Sequence, residues 1–142
     1  MARFKLLIDN PNSNLLQAVT LVEGFLVSPK LLSFIRAKKT WEYTNDNGET
    51  IAVKLSKGRQ AVIKLYTPWY PWSKAIASTT GNVISLNSRK MNRSIESIAN
   101  TLIHEYCHVI NYGHGNNSPI GKENSVPYWV GNKFERMLKG LN

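Results

Sequence analysis

The stretch His104-Glu105-Tyr106-Cys107-His108-Val109-Ile110-Asn111-Tyr112-Gly113-His114 holds all three histidines of the 142-residue chain, and its first five residues spell H-E-x-x-H. Its secondary structure follows from the apolar residues around it. Ile95, Ile98, Ala99, Leu102, Ile103, Tyr106 and Ile110 recur at helical spacing, which predicts a long amphipathic helix from about Ser94. An α-helix advances roughly 100° per residue, so His104 and His108 point within about 40° of each other on one face, away from that stripe. Two imidazoles can therefore reach one metal ion.

His114 follows His108 by six positions. Continued as helix, it would lie about 240° around the axis and face away. The chain must leave the helix first. Asn111 tolerates the left-handed conformation that ends helices and Gly113 adopts it freely, so 111–113 can turn the backbone and bring His114 to the ion. Glu123, in a polar loop over residues 115–125, and Glu135, on the last predicted helix, are the rival third ligands. Imidazoles that leave a fourth position open suit Zn2+, which lowers the pKa of water to about 7 and polarises carbonyls. Glu105 is displaced about 100° around the helix from His104, so it flanks the ion instead of ligating it. A carboxylate so placed can take a proton from attacking water and hand it to a leaving amine. These residues predict a zinc-dependent hydrolase of peptide bonds, with His104, His108 and His114 as metal ligands and Glu105 as general base.

Upstream, Asn12 or Ser13 can cap a helix through Leu15, Leu16, Val19, Leu21, Val22 and Leu26, and Pro29 ends it and opens a second through Leu31, Leu32, Phe34 and Ile35. Trp41-Glu-Tyr-Thr44, Asn47-Gly48 and Thr50-Ile-Ala-Val-Lys-Leu55 read as a β-hairpin, since Asn-Gly supplies the positive φ angles of a tight turn. Ala61 to Tyr66 is predicted as a strand, as is Asn82 to Asn87. The latter is read either as a core strand or as the edge strand flanking a substrate cleft. Between them, Thr67 to Trp72 is an aromatic, proline-punctuated loop, expected to pack on the sheet, with Trp69, Tyr70 and Trp72 as lining of a substrate subsite the alternative. A closing helix is predicted from near Tyr128 to Lys139. The plan is α+β: a small mixed sheet packed on helices, with the histidine motif on a long central helix and a C-terminal helix behind it. One domain over 1–142 is expected, with helices and sheet in 1–80 and the edge strand, motif helix and closing helix in 81–142.

A hydrophobic fraction of 42% with 19% charged residues excludes a disordered chain, and one cysteine excludes an internal disulfide framework. Cys107 is read as a small buried hydrophobe. The N-terminal apolar run reaches only from Leu6 to Ile8, short of a secretory core of about 7 residues, and no run approaches a membrane span of about 18. A cytoplasmic protein with no membrane partner is expected. The net charge is +9, spread evenly: 10 basic and 5 acidic side chains over 1–71, 8 and 4 over 72–142. An even spread describes a solvated basic surface, while the sign leaves nucleic acid open as a partner.

Residues 104–114 resemble the metzincin zinc peptidases, whose pattern is H-E-x-x-H-x-x-G-x-x-H, with Asn111 in place of the family's Gly and Pro127 where a methionine turn would stand. The chain is also similar to SprT-like minimal peptidases, through His114-Gly115 and a short strand before the motif helix, and to small zincin domains of phage and toxin systems. Each resemblance implies a zincin-like fold and a compact zinc metalloendopeptidase, and covers about the C-terminal half. Metzincin likeness also suggests Tyr128 as oxyanion donor, with Tyr112 as the alternative. Two rival functions remain. One is a non-catalytic basic module binding nucleic acid or protein around a structural zinc. The other is a SprT-like protease working on nucleic acid.

Overall fold

The computed structural model describes residues 3–115 and 122–141. Chain order is β1 (Phe4–Leu6), α1 (Ser13–Phe25), α2 (Pro29–Ala37), α3 (Gly48–Lys57), β2 (Ala61–Tyr66), β3 (Ala77–Thr80), β4 (Val83–Asn87), α4 (Ile95–Val109) and α5 (Val126–Leu138), with short 3-10 turns at Ser88–Lys90 and Lys122–Asn124. The α+β plan is borne out: a four-stranded mixed sheet packs on five helices.

The first two helices begin as their residues dictate. Asn12 caps α1 by accepting from the Asn14 and Leu15 amides, and Pro29 opens α2, where its missing N–H costs nothing. Their apolar faces (Leu15, Val19 and Val22; Leu31, Leu32 and Ile35) lie in the core. No single described helix is long and apolar enough to cross a membrane.

The expected hairpin around Asn47-Gly48 is a helix instead. Asn47 does not form a tight turn; its side chain accepts from the Thr50 amide and caps α3. Gly48 is needed for space, not for a positive φ: a Cβ there would overlap the Ile35 and Lys38 carbonyl oxygens at the end of α2. Ile51, Ala52 and Leu55 then meet the core on one face of α3, so apparent alternation along Thr50–Leu55 was a helical stripe in a short window.

The sheet order is β1-β2-β4-β3, with β1 parallel to β2, β2 parallel to β4, and β3 antiparallel to β4. Gly81, at φ 59°, begins the two-residue turn between Thr80 and Val83, as a hairpin of this hand requires. Val83–Asn87 is therefore not an edge strand, because β2 and β3 pair with it on both sides. The edge beside the motif helix is β3. Ile63, Ile84 and Leu86 are fully buried in the core, and α4, which packs against α1, α5, β3 and β4, is the hub of the molecule. The aromatic loop does not pack on the sheet: Trp69 and Trp72 are 86% and 70% exposed, meeting each other edge-on and Tyr70 edge-on or tilted.

Candidate metal centre

Helix α4 begins at the predicted residue: Ser94 is its N-cap, accepting from the Ser97 amide. Ile98, Ala99, Leu102, Ile103, Tyr106 and Cys107 are fully buried, which turns the seam Ser97, Thr101, His104, His108 toward a cleft of about 730 Å³. Burial pushes the Cys107 thiol far up, as expected of a buried hydrophobe. The cleft runs between α4, strand β3 and the first turns of α5.

The end of α4 brings in the third imidazole. Asn111 takes a left-handed φ of 73°, the Asn111 amide donates to the His108 carbonyl at 3.0 Å, and the Tyr112 amide donates to the Cys107 carbonyl at 2.9 Å. This pair of bonds is a Schellman closure, and it reverses the chain within two residues. Asn111 alone makes the left-handed turn; Gly113 does not share it. Tyr112 then folds inward, where its hydroxyl donates to Asp46 Oδ2 at 2.7 Å. Buried in that bond and held protonated by burial and Asp46, Tyr112 faces away from the cleft and cannot serve an oxyanion there.

His104, His108 and His114 converge, with one ring nitrogen from each within 4.8 Å of the others. Two of the rings are oriented by backbone carbonyls. His108 Nδ1 lies 2.8 Å from the Tyr112 oxygen and His114 Nδ1 lies 2.8 Å from the Gly115 oxygen. A carbonyl only accepts, so each Nδ1 carries the proton and each Nε2 keeps a lone pair. His104 Nε2 and His114 Nε2 are 3.2 Å apart. Two nitrogens bound at about 2.0–2.1 Å to one tetrahedral zinc are separated by roughly 3.3 Å, so the pair is spaced for a shared ion. Burial, then the neighbouring His108, His114 and Lys122, push His104 down to about 3, and burial also lowers His108. Neutral imidazoles are what a metal requires. The donor set fits zinc.

Neither rival carboxylate joins the group. Glu135 accepts from Asn100 Nδ2 at 2.7 Å and from Lys139 at 2.7 Å, and Glu123 sits on the exposed turn at 122–124. Residues 116–121 of the expected polar loop lie outside the described residues. Glu105 is 7% exposed and lines the cleft beside His104. The Thr79 hydroxyl, on β3, is 2.6 Å from Glu105 Oε2 and 3.2 Å from the Glu105 carbonyl, so strand and helix are joined at the acid itself. Tyr128, in the first turn of α5, packs edge-on against His104 and His114 at 4.5 and 4.9 Å between ring centroids. No methionine turn is formed at Ser125–Trp129, because Val126 and Pro127 open α5.

Thr79 carried no sequence signal, being brought in by a hairpin of polar residues. Ser97 and Thr101 did carry one, since they precede His104 by seven and three positions on the same helical seam. Comparison with known proteins finds no matching family model, no matching curated protein and no matching solved structure.

Proposed function

We propose that the chain is a zinc-dependent metallopeptidase of the zincin type, acting on protein or peptide substrates. The observation that carries this reading is the placing of a buried carboxylate, Glu105, against three convergent imidazoles in an open cleft. A structural zinc takes four protein ligands. Here three histidines form the group among the described residues, and the acid beside them is tied to Thr79, which favours catalysis over a structural clamp.

His104, His108 and His114 would hold the ion. When bound, zinc supplies Lewis acidity, polarising a peptide carbonyl and making water acidic enough to lose a proton near pH 7. Glu105 accepts that proton through the oxygen that Thr79 leaves free and returns it to the departing amine. Tyr128 presents a phenol at the cleft beside His104 and His114, where it would donate to the oxygen of the tetrahedral intermediate. Strand β3 supplies the edge along which an extended peptide adds as a further strand, since its Ala77–Thr79 backbone borders the cleft and β4 occupies its other side.

Cleavage of a mixed peptide library by zinc-loaded wild type and by Glu105→Gln tests the reading. Wild type cleaves; Glu105→Gln binds one zinc and loses activity by at least about a hundredfold. Equal cleavage by both proteins rejects Glu105 as the base. No cleavage by either rejects the peptidase.

A further inference from the structure

Arg93 lies just before α4 and turns its guanidinium back along the helix into the wall of the same cleft. Nε donates to the Lys90 carbonyl at 2.7 Å, and Nη1 donates to Thr101 Oγ1 at 2.9 Å and Ser97 Oγ at 3.1 Å. Nη2 is buried and has no hydrogen-bond partner among the described residues. Buried charged donors are normally satisfied, so this guanidinium keeps one hydrogen-bonding position to spare, which a rotation toward the cleft would offer to an acceptor. Among the described residues no carboxylate hydrogen-bonds to it. The acid on α5, Glu135, interacts with the guanidinium through its charge, while its oxygens accept from Asn100 and Lys139. Among the described residues the charged side chains of the cleft are Lys74, Arg93 and Glu105, and the last adjoins the histidines. Away from the metal centre the lining therefore carries the cations Lys74 and Arg93, with the charge of Glu135 felt at Arg93 from outside the lining.

We infer that Arg93 is the anion-binding residue of a specificity subsite that takes a carboxylate of the peptide substrate. The inference rests on the peptidase reading for its substrate, though not for its binding chemistry. The guanidinium spans the Ser97 and Thr101 hydroxyls, about seven residues before the midpoint of His104 and His108. At 1.5 Å per residue this is on the order of 10 Å along α4, or roughly three residues of extended peptide. Nη2 is shielded from bulk water, so engagement turns the guanidinium toward the cleft. That motion exchanges bonds to two rotatable hydroxyls for charge-assisted bonds to the carboxylate. The carboxylate can be a Glu or Asp side chain or a free C-terminus, and these differ only in the peptide that presents them.

The test uses zinc-loaded protein and matched peptides built on the preferred library site. One series carries Glu or Gln at two, three or four residues from the scissile bond on either side; a second ends there in a free acid or an amide. Binding is read on the inactive Glu105→Gln protein and kcat/KM on wild type. We expect at least a tenfold preference for one carboxylate position over its uncharged partner. The ratio should fall to about one in Arg93→Gln and be partly kept in Arg93→Lys. The wild-type comparison needs no variant, so it stands even where Arg93→Gln fails to fold. Cleavage with no preference at any position overturns the subsite and leaves the peptidase intact. Preferential binding without cleavage keeps the subsite and removes the peptidase. A preference unchanged in Arg93→Gln assigns the anion to another residue and overturns the inference.

Discussion

In the proposed peptidase the carboxylate of Glu105 is useful only when its orientation is fixed, and the Thr79 hydroxyl holds it. The hydroxyl donates a hydrogen bond to Glu105 Oε2 at 2.6 Å, a charge-assisted bond across the gap between β3 and α4. That leaves the other oxygen to meet water. A hydrogen bond to a charged group is worth about 1.5–3 kcal/mol, so Thr79→Val should lower kcat by roughly 10- to 100-fold with little change in KM. Thr79→Ser keeps the hydroxyl and should recover most of the loss. Wild-type kcat in Thr79→Val, or a serine variant no better than valine, would show that the bond does not position the base. The convergent histidines were legible in sequence because H-E-x-x-H places two of them on one face by helical geometry alone. The third, His114, was legible through Asn111 and Gly113 as candidates for the reversal, of which Asn111 takes the left-handed φ. Thr79 was not legible, since a contact between a polar strand and a helix 26 residues later leaves no local pattern.

Two glycines at the scale of the helices separate conformational from steric roles. Gly24 lies within α1 with nothing near the place of its Cβ, whereas Gly48 starts α3 against the carbonyl end of α2. Gly24→Ala should raise the unfolding free energy by about 0.5–1 kcal/mol through helix propensity. Gly48→Ala must displace backbone and should lower it by about 1–3 kcal/mol, read from urea midpoints at constant slope. A neutral Gly48→Ala would mean that α2 and α3 do not approach this closely. The same contact shows why Asn47-Gly48 misled. The dipeptide is compatible with a tight turn and with a capped helix start, and what decides between them is α2, ten residues upstream, not anything within the window. Helices α1, α2, α4 and α5 were legible because each carries its own cap or proline and a long enough apolar stripe.

Across the whole molecule, α4 converts a packing problem into a site. Its apolar side is covered by α1, α5 and the sheet, which leaves the seam from Ser97 to His108 as the floor of the cleft. The mixed sheet was foreseen, but β1 and β3 were not. Three residues (Phe4–Leu6) and four more, three of them polar (Ala77–Thr80), carry too little periodicity, and each is a strand because β2 or β4 offers it a ladder. The edge beside the cleft was accordingly assigned one strand too late. Titration of zinc into metal-free protein at pH 7, followed by calorimetry on wild type and on His104→Ala, His108→Ala and His114→Ala, tests the convergence of the three rings most directly. One ion should bind per chain, and each substitution should weaken it by at least about a hundredfold, or roughly 2.7 kcal/mol. Zinc held as tightly by His114→Ala as by wild type, or not held by wild type at all, would contradict the metal centre on which the rest is built.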